Sequence, residues 1–108
     1  MSNEKRVELL KKFIEEEPDE PFNYYALALE YAESDPESAI SIFRKLIVQH
    51  KEYLPTYYKL AHLLWDTNQI EEANKLFEAG IVLAEKQGDL KALAELRAAF
   101  QNFQFDID

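Results

Sequence analysis

The sequence predicts an all-α protein in which pairs of helices repeat along the chain as a solenoid. Two observations predict this fold class. The stretch NYYALALEY, which begins at Asn23, nearly returns 33 residues later as TYYKLAHLL at Thr56. The chain also has only two glycines and four prolines among its 108 residues, which is too few turn residues for an all-β domain. A helix pair that repeats about every 34 residues is typical of a helical solenoid.

The composition indicates a single globular domain, 1–108. Hydrophobic residues make up 47% of the chain and charged residues 31%, as in folded domains. The chain has no cysteine, which excludes disulfides and thiolate chemistry. Its net charge of −9 is spread over both halves and disfavours nucleic acid and anionic membranes as partners. The start of the chain does not resemble a signal peptide, and no window is long and apolar enough to span a membrane, so we expect a cytoplasmic protein.

Three helices are predicted in the first half of the chain. The first spans about 3–16, where apolar side chains recur every three or four residues, and the prolines of EEEPDEP end it. The second runs over about 21–33 and contains the first copy of the repeated stretch. Asp35 is expected to cap the third, which starts at Pro36 and extends to about His50.

Three further helices are predicted in the second half. The fourth spans about 55–66 and starts at a proline. The short turn TNQ follows, in which Asn68 tolerates a left-handed backbone. A fifth helix is closed by Gly88 as its C-terminal cap, and Asp89 is expected to cap a sixth helix that ends near Asn102. All connections are short, so consecutive helices should lie antiparallel.

The last six residues, FQFDID, form a separate segment in this prediction. Phe103, Phe105 and Ile107 alternate with polar residues, and a period of two predicts an extended segment with one apolar face. Three arrangements of this tail, 103–108, are left open: a frayed end, docking on the last helices of its own chain, and exchange between two copies.

The repeated residues recur in a fixed order. In the first helix of each pair the matched residues are Tyr24, Leu27, Ala28 and Tyr31, then Tyr57, Leu60, Ala61 and Leu64. In the second helix they are Ala39 and Phe43, then Ala73 and Phe77. This order resembles the tetratricopeptide repeat (TPR) family, whose pattern is W-x2-L-G-x2-Y, then A-x3-F, then P. Lys51 and Glu85 stand in place of the final proline. The resemblance implies a right-handed α-solenoid of TPR helix-turn-helix pairs, with about six helices.

The resemblance also divides the chain into parts. These are an N-terminal helix at 1–17, repeat 1 at 20–53, repeat 2 at 54–87, and a C-terminal capping helix with the tail at 89–108. The terminal helices resemble partial copies of a repeat. Leu9 and Phe13 match the second-helix residues Phe43 and Ile47. Leu90, Leu93 and Ala94 match the first-helix residues Tyr57, Leu60 and Ala61.

The first helix of each pair carries a second apolar stripe that the core pattern does not use. It includes Phe22, Tyr25 and Leu29 in repeat 1 and Tyr58, His62 and Trp65 in repeat 2. In the proteins that this chain resembles, the corresponding stripe lines a concave face that holds a peptide or a partner helix. The resemblance therefore implies a binding groove formed by Tyr25, Leu29, Tyr58, His62, Trp65 and Asp66. The alternative is that these aromatic residues pack neighbouring helix pairs together.

The sequence lacks a pattern for catalysis, for a metal or for a cofactor. His50 and His62 lie on different predicted helices without metal-ligand spacing, and no phosphate-binding loop or nucleophile motif is present. We expect a non-catalytic protein–protein interaction module that binds a peptide or a partner helix and needs no cofactor. The alternative is a self-associating structural protein, a homodimer or larger homo-oligomer, whose groove is filled by another copy.

Overall fold

The computed structural model describes residues 3–108, which form six α-helices and no β-strand. The helices are α1 (Glu4–Glu16), α2 (Pro21–Tyr31), α3 (Pro36–Gln49), α4 (Pro55–Asp66), α5 (Ile70–Gln87) and α6 (Leu90–Ile107). The predicted all-α class is confirmed. None of the described helices is long and apolar enough to cross a membrane.

The helices fall into two compact units. One extends to Tyr53 and contains α1, α2 and α3, and the other extends from Leu54 to Asp108 and contains α4, α5 and α6. The first two residues of the predicted N-terminal part, 1–17, lie outside the described residues. The predicted single domain and its repeat boundaries stay predictions.

The helix ends follow the local chemistry of the sequence. A carboxylate oxygen of Asp35 accepts a hydrogen bond from the backbone N–H of Ser38 at 3.2 Å, and Asp89 caps the first turn of α6 in the same way. Gly88 closes α5 with a left-handed φ of 69°, and Asn68 has a φ of 62° in the turn before α5. The predicted caps and the predicted left-handed turn are confirmed.

In the first unit, α2 packs against both α1 and α3. The repeat positions Ala28 and Ala39 are fully buried, and Phe43 is buried with them. The small side chains of Ala28 and Ala39 allow the paired helices to approach closely. On the other side of α2, Leu10 of α1 forms a core cluster with Ala26 and Leu27 of α2.

In the second unit, α5 packs against both α4 and α6. Ala61, Ala73 and Phe77 are fully buried here, at positions matched to those in α2 and α3. Gly80 lies at a close approach of the helices, because a Cβ atom at this position would lie 3.0 Å from Cβ of Tyr57 and 3.2 Å from a methyl group of Leu96. A glycine in α5 thus allows α4 and α6 to pack closely against it.

The predicted extended tail is wrong, because α6 continues as a helix to Ile107 and not only to about Asn102. Phe103 is fully buried in its own unit, whereas Phe105 is 75% exposed. The physical reason is that Leu96, Ala99 and Phe103 lie at helical spacing and are all buried, so α6 buries the Phe103 ring by continuing as a helix past Asn102. Of the three arrangements left open, the structure has the segment packed on its own chain, as a helix.

Candidate functional site

The predicted groove residues lie on two helices, one in each unit. Tyr25 and Leu29 are on α2, and Tyr58, His62, Trp65 and Asp66 are on α4. Each set recurs at three- or four-residue spacing and so occupies one face of its helix. The α2 face and the α4 face belong to different units, and their role in binding stays a prediction.

The α2 face consists of Phe22, Tyr25 and Leu29 and presents apolar surface to solvent. Phe22 is 55% exposed and Leu29 is 38% exposed. Tyr25 lies between them, half-buried, with its ring centroid 5.9 Å from that of Phe43 and 5.7 Å from that of Tyr53. Burial raises the pKa of the Tyr25 phenol, and the nearby Tyr53 raises it further. The Tyr25 side chain is therefore uncharged at physiological pH. Tyr25 is thus the half-buried centre of an apolar stripe, and the residues at its two ends, Phe22 and Leu29, are exposed to solvent.

The α4 face consists of Tyr58, His62, Trp65 and Asp66 and presents a row of three rings. The ring centroids of Tyr58 and His62 are 4.5 Å apart, and those of His62 and Trp65 are 5.6 Å apart. All three rings are half-buried, and the row ends at the exposed carboxylate of Asp66. Lys59 holds its Nζ atom 6.0 Å from the centre of the Tyr58 ring, at the outer limit of a cation–π contact.

Phe77 of α5 lies behind this row. Its ring is 5.7 Å from His62 and 6.3 Å from Trp65, both edge-on. Phe103 of α6 lies 5.2 Å from Phe77 and 5.4 Å from Trp65, the latter at an interplanar angle of 86°. Such tilted and edge-to-face pairs contribute about 0.5–1.5 kcal/mol each beyond the area they bury. The α4 face is therefore supported by a rigid aromatic cluster that all three helices of the unit share.

Sequence reasoning missed the contribution of α6 to this site. The indole Nε1–H of Trp65 donates a hydrogen bond to Oδ2 of Asp106 at 2.7 Å. Phe103 and this hydrogen bond cover part of the Trp65 side chain. Trp65 therefore stabilises the packing of the second unit and also forms part of the α4 face. The signal was present in the sequence, since Ala99, Phe103 and Asp106 recur at helical spacing, but the alternation of FQFDID obscured it.

His62 is a neutral ring within the α4 row. Burial is the largest influence and lowers its pKa, Asp66 opposes the shift, and Lys59 adds to it. Its Nε2 atom is buried and has no hydrogen-bond partner among the described residues. The imidazole therefore acts mainly as a flat surface between Tyr58 and Trp65 rather than as a positive charge.

A cleft of about 500 Å³ lies in the first unit, and none of the three residues of the α2 face lines it. The apolar residues Ile14, Leu27 and Ile42 line it, with Lys11 and Lys45 also in its wall. Within residues 3–108, no group of three or more His, Cys, Asp or Glu residues is arranged to hold a metal ion.

The comparisons with known proteins agree with this architecture. A family model described as Tetratricopeptide repeat matches residues 30–100. A solution NMR structure of a tetratricopeptide repeat domain protein from Salinibacter ruber is 33% identical, with a TM-score of 0.75 over 81% of this chain and 89% of that chain. A crystal structure of a tetratricopeptide repeat domain protein from Salinibacter ruber is 30% identical, with a TM-score of 0.75 over 79% of this chain and 97% of that chain. No curated protein matches. These similarities support the predicted helical solenoid.

Proposed function

Because the chain belongs to the tetratricopeptide repeat family, we propose that it is a non-catalytic module that binds a peptide or a partner helix through the α2 face and the α4 face. Domains of this family are generally protein–protein interaction modules. The observation that carries the proposal is the α2 face, where Phe22 and Leu29 are 55% and 38% exposed on either side of Tyr25. Large apolar side chains exposed together on one helix mark interaction sites.

The surfaces favour a partner with apolar anchors. Phe22, Tyr25 and Leu29 follow the spacing i, i+3, i+7, which suits an amphipathic helix or a peptide that presents apolar side chains in a row. On the α4 face, Tyr58 and His62 supply flat rings, and Tyr and Trp are frequent energetic centres of interfaces. Asp66 adds a negative rim, so a neutral or basic segment fits better than an acidic one.

The test is capture of partners by variants of the α2 face. Immobilised wild-type protein and Leu29→Asp are incubated with a native lysate, and the captured proteins are quantified by mass spectrometry. The captured partner is then titrated against both proteins. We expect Leu29→Asp to weaken binding at least about 10-fold, since loss of an interface anchor costs roughly 1–2 kcal/mol or more. Val48→Asp on α3 is the matched control, because Val48 is also exposed and lies on a different helix.

Both variants must first show wild-type helical content and melting by circular dichroism. Equal affinity of the titrated partner for Leu29→Asp and for Val48→Asp would exclude the α2 face as a binding surface. Light scattering separates the alternative function, self-association through the same faces. If copies of this chain fill the α2 face, the wild type forms an oligomer that Leu29→Asp dissociates.

A further inference from the structure

The aromatic row of the α4 face carries opposite charges at its two ends. At the Tyr58 end, Nζ of Lys59 lies 6.0 Å from the centre of the ring. At the Trp65 end, Asp66 is the next residue on α4, and the carboxylate of Asp106 accepts the hydrogen bond of the indole at 2.7 Å. The row is therefore positive at one end and negative at the other.

The protein itself does not neutralise the two carboxylates at the Trp65 end. Asp66 and Asp106 are both exposed. Within residues 3–108, neither of them forms an ion pair with a lysine or an arginine. The indole of Trp65 occupies only Oδ2 of Asp106, and a carboxylate offers about four acceptor positions. Both groups can therefore accept hydrogen bonds from a cation.

The surrounding sequence strengthens this negative charge. No lysine or arginine occurs in 60–74 or in 98–108, which contain the end of α4, the first turn of α5 and the end of α6. The acidic residues of these two stretches are Asp66, Glu71, Glu72, Asp106 and Asp108. The net charge of the whole chain is −9. A positively charged segment of a partner is therefore attracted to this end of the second unit.

The rings between these charges favour a flat cation. The rings of His62 and Trp65 are inclined by only 32°, the smallest angle in the row, with their centroids 5.6 Å apart. Both rings are partly exposed. A guanidinium group is planar, stacks on aromatic rings and binds carboxylates through several N–H groups, whereas an ammonium group acts as a compact point charge. Neutral rings bordered by carboxylates therefore suit arginine better than lysine.

We propose that the α4 face binds an arginine side chain of the partner, with its guanidinium against the indole of Trp65 and held by the carboxylates of Asp66 and Asp106. The proposal rests on the proposed function, in which the α4 face is a binding surface, and it names the chemistry of the partner there. Lys59 repels a basic side chain from the other end of the row. The charges therefore also set the direction in which the partner lies along α4.

The experiment uses the indole as the reporter. Trp65 is the only tryptophan of the chain, so its N–H group gives a single NMR signal at the proposed site. The probes are N-acetylarginine amide, N-acetyllysine amide and N-acetylcitrulline amide, at constant ionic strength. Citrulline keeps the planar shape of arginine but has no charge. We expect the arginine probe to shift the indole signal saturably with a Kd of about 10 mM, the lysine probe to bind more weakly and the citrulline probe not to bind.

The variants remove one charge at a time. Asp106→Asn keeps an oxygen that can accept the hydrogen bond of the indole, and Asp66→Asn changes an exposed residue. Each should weaken binding of the arginine probe at least about 3-fold, as expected for one exposed charge contact. Asp108→Asn is the matched control, because it makes the same change at an exposed residue near the end of α6, and it should bind as the wild type does. Each variant must melt as the wild type does, and Asp66→Asn alone suffices if Asp106→Asn does not.

Several results would overturn the arginine site. These are an indole signal that does not move up to about 100 mM of the arginine probe, equal binding of the citrulline or the lysine probe, or unchanged affinity in the folded aspartate variants. The test needs no captured partner, so it can fail while the α2 face still binds one. Conversely, a result with Leu29→Asp that excludes the α2 face leaves these titrations unaffected, because Leu29 belongs to the other unit.

Discussion

The indole of Trp65 on α4 is hydrogen-bonded to the carboxylate of Asp106 near the end of α6, with 2.7 Å between Nε1 and Oδ2. The two residues are 41 positions apart in the sequence. Phe103, one turn before Asp106, packs edge-to-face on the same indole. The end of α6 is therefore part of the second unit's structure, and it determines which part of the Trp65 side chain remains available to a partner.

The first prediction concerns this hydrogen bond. Trp65→Phe keeps a ring and removes the donor, and Asp106→Ala removes the acceptor. In a double-mutant cycle we expect a coupling energy of about 1 kcal/mol between the two substitutions. The reason is that the net contribution of one hydrogen bond to stability is about 0.5–1.5 kcal/mol. The measurement is urea unfolding followed by circular dichroism. Asp108→Ala serves as the control, because Asp108 is exposed and should have almost no effect. Strictly additive effects would show that the bond does not form in solution.

The second prediction compares Phe103 with Phe105, which lies two positions later in the sequence. Phe103 is fully buried, so Phe103→Ala should lower the free energy of unfolding by about 3–5 kcal/mol. Phe105 is mostly exposed, so Phe105→Ala should change it by no more than about 0.5 kcal/mol. Both are measured by urea unfolding. Similar losses for the two variants would favour an extended segment with both rings on one face.

The third prediction compares matched alanines. Ala61 is fully buried on α4, and Ala94 occupies the matched position on α6 but is exposed. Ala61→Leu should overpack the contact with α5 and cost about 1–3 kcal/mol. Ala94→Leu should be close to neutral, because the position is exposed and leucine is almost as good a helix former as alanine. Thermal melting of both variants is the measurement, and an unchanged melting temperature for Ala61→Leu would contradict the close helix packing in this unit.

The fourth prediction concerns the pH dependence of stability. Burial lowers the pKa of His62 in the folded protein from its ordinary value of 6.5. Between the lowered and the ordinary pKa, the unfolded chain binds more protons than the folded one. The contribution of His62 is therefore fully present above the ordinary pKa and is lost as the pH falls through the lowered one. The free energy of unfolding is measured with urea from about pH 8 to about pH 5, a range that brackets the ordinary pKa of histidine.

The matched variant for this measurement is His62→Phe, which keeps a ring against Phe77 but binds no proton. Its stability should fall less steeply than that of the wild type just below the ordinary pKa of histidine. His50 is present in both proteins and so cancels from the comparison. Identical pH slopes for the two proteins would mean that His62 titrates in the folded protein as it does in the unfolded chain.

The sequence by itself determined the helices of this protein and the order in which they repeat. The caps at Asp35 and Asp89, the left-handed Asn68 and Gly88, and the buried alanines could all be predicted. Capping and turn chemistry act between residues that are close along the chain. The repeat adds a constraint of its own, because two copies that align over several positions must bury equivalent faces.

Only the tertiary structure decided how α6 ends and what surrounds Trp65. The six residues FQFDID span less than two helical turns, and over so short a window Phe103 and Ile107 fit a helix as well as a strand. Burial of Phe103 against Phe77 favours the helix, and this contact joins residues that are far apart in the sequence. An even longer stretch of sequence separates Trp65 from Asp106, so the local pattern around either residue contains no information about the other. The helices follow from interactions within a few residues, whereas the exposed part of the candidate site depends on contacts that exist only after α4, α5 and α6 have packed together.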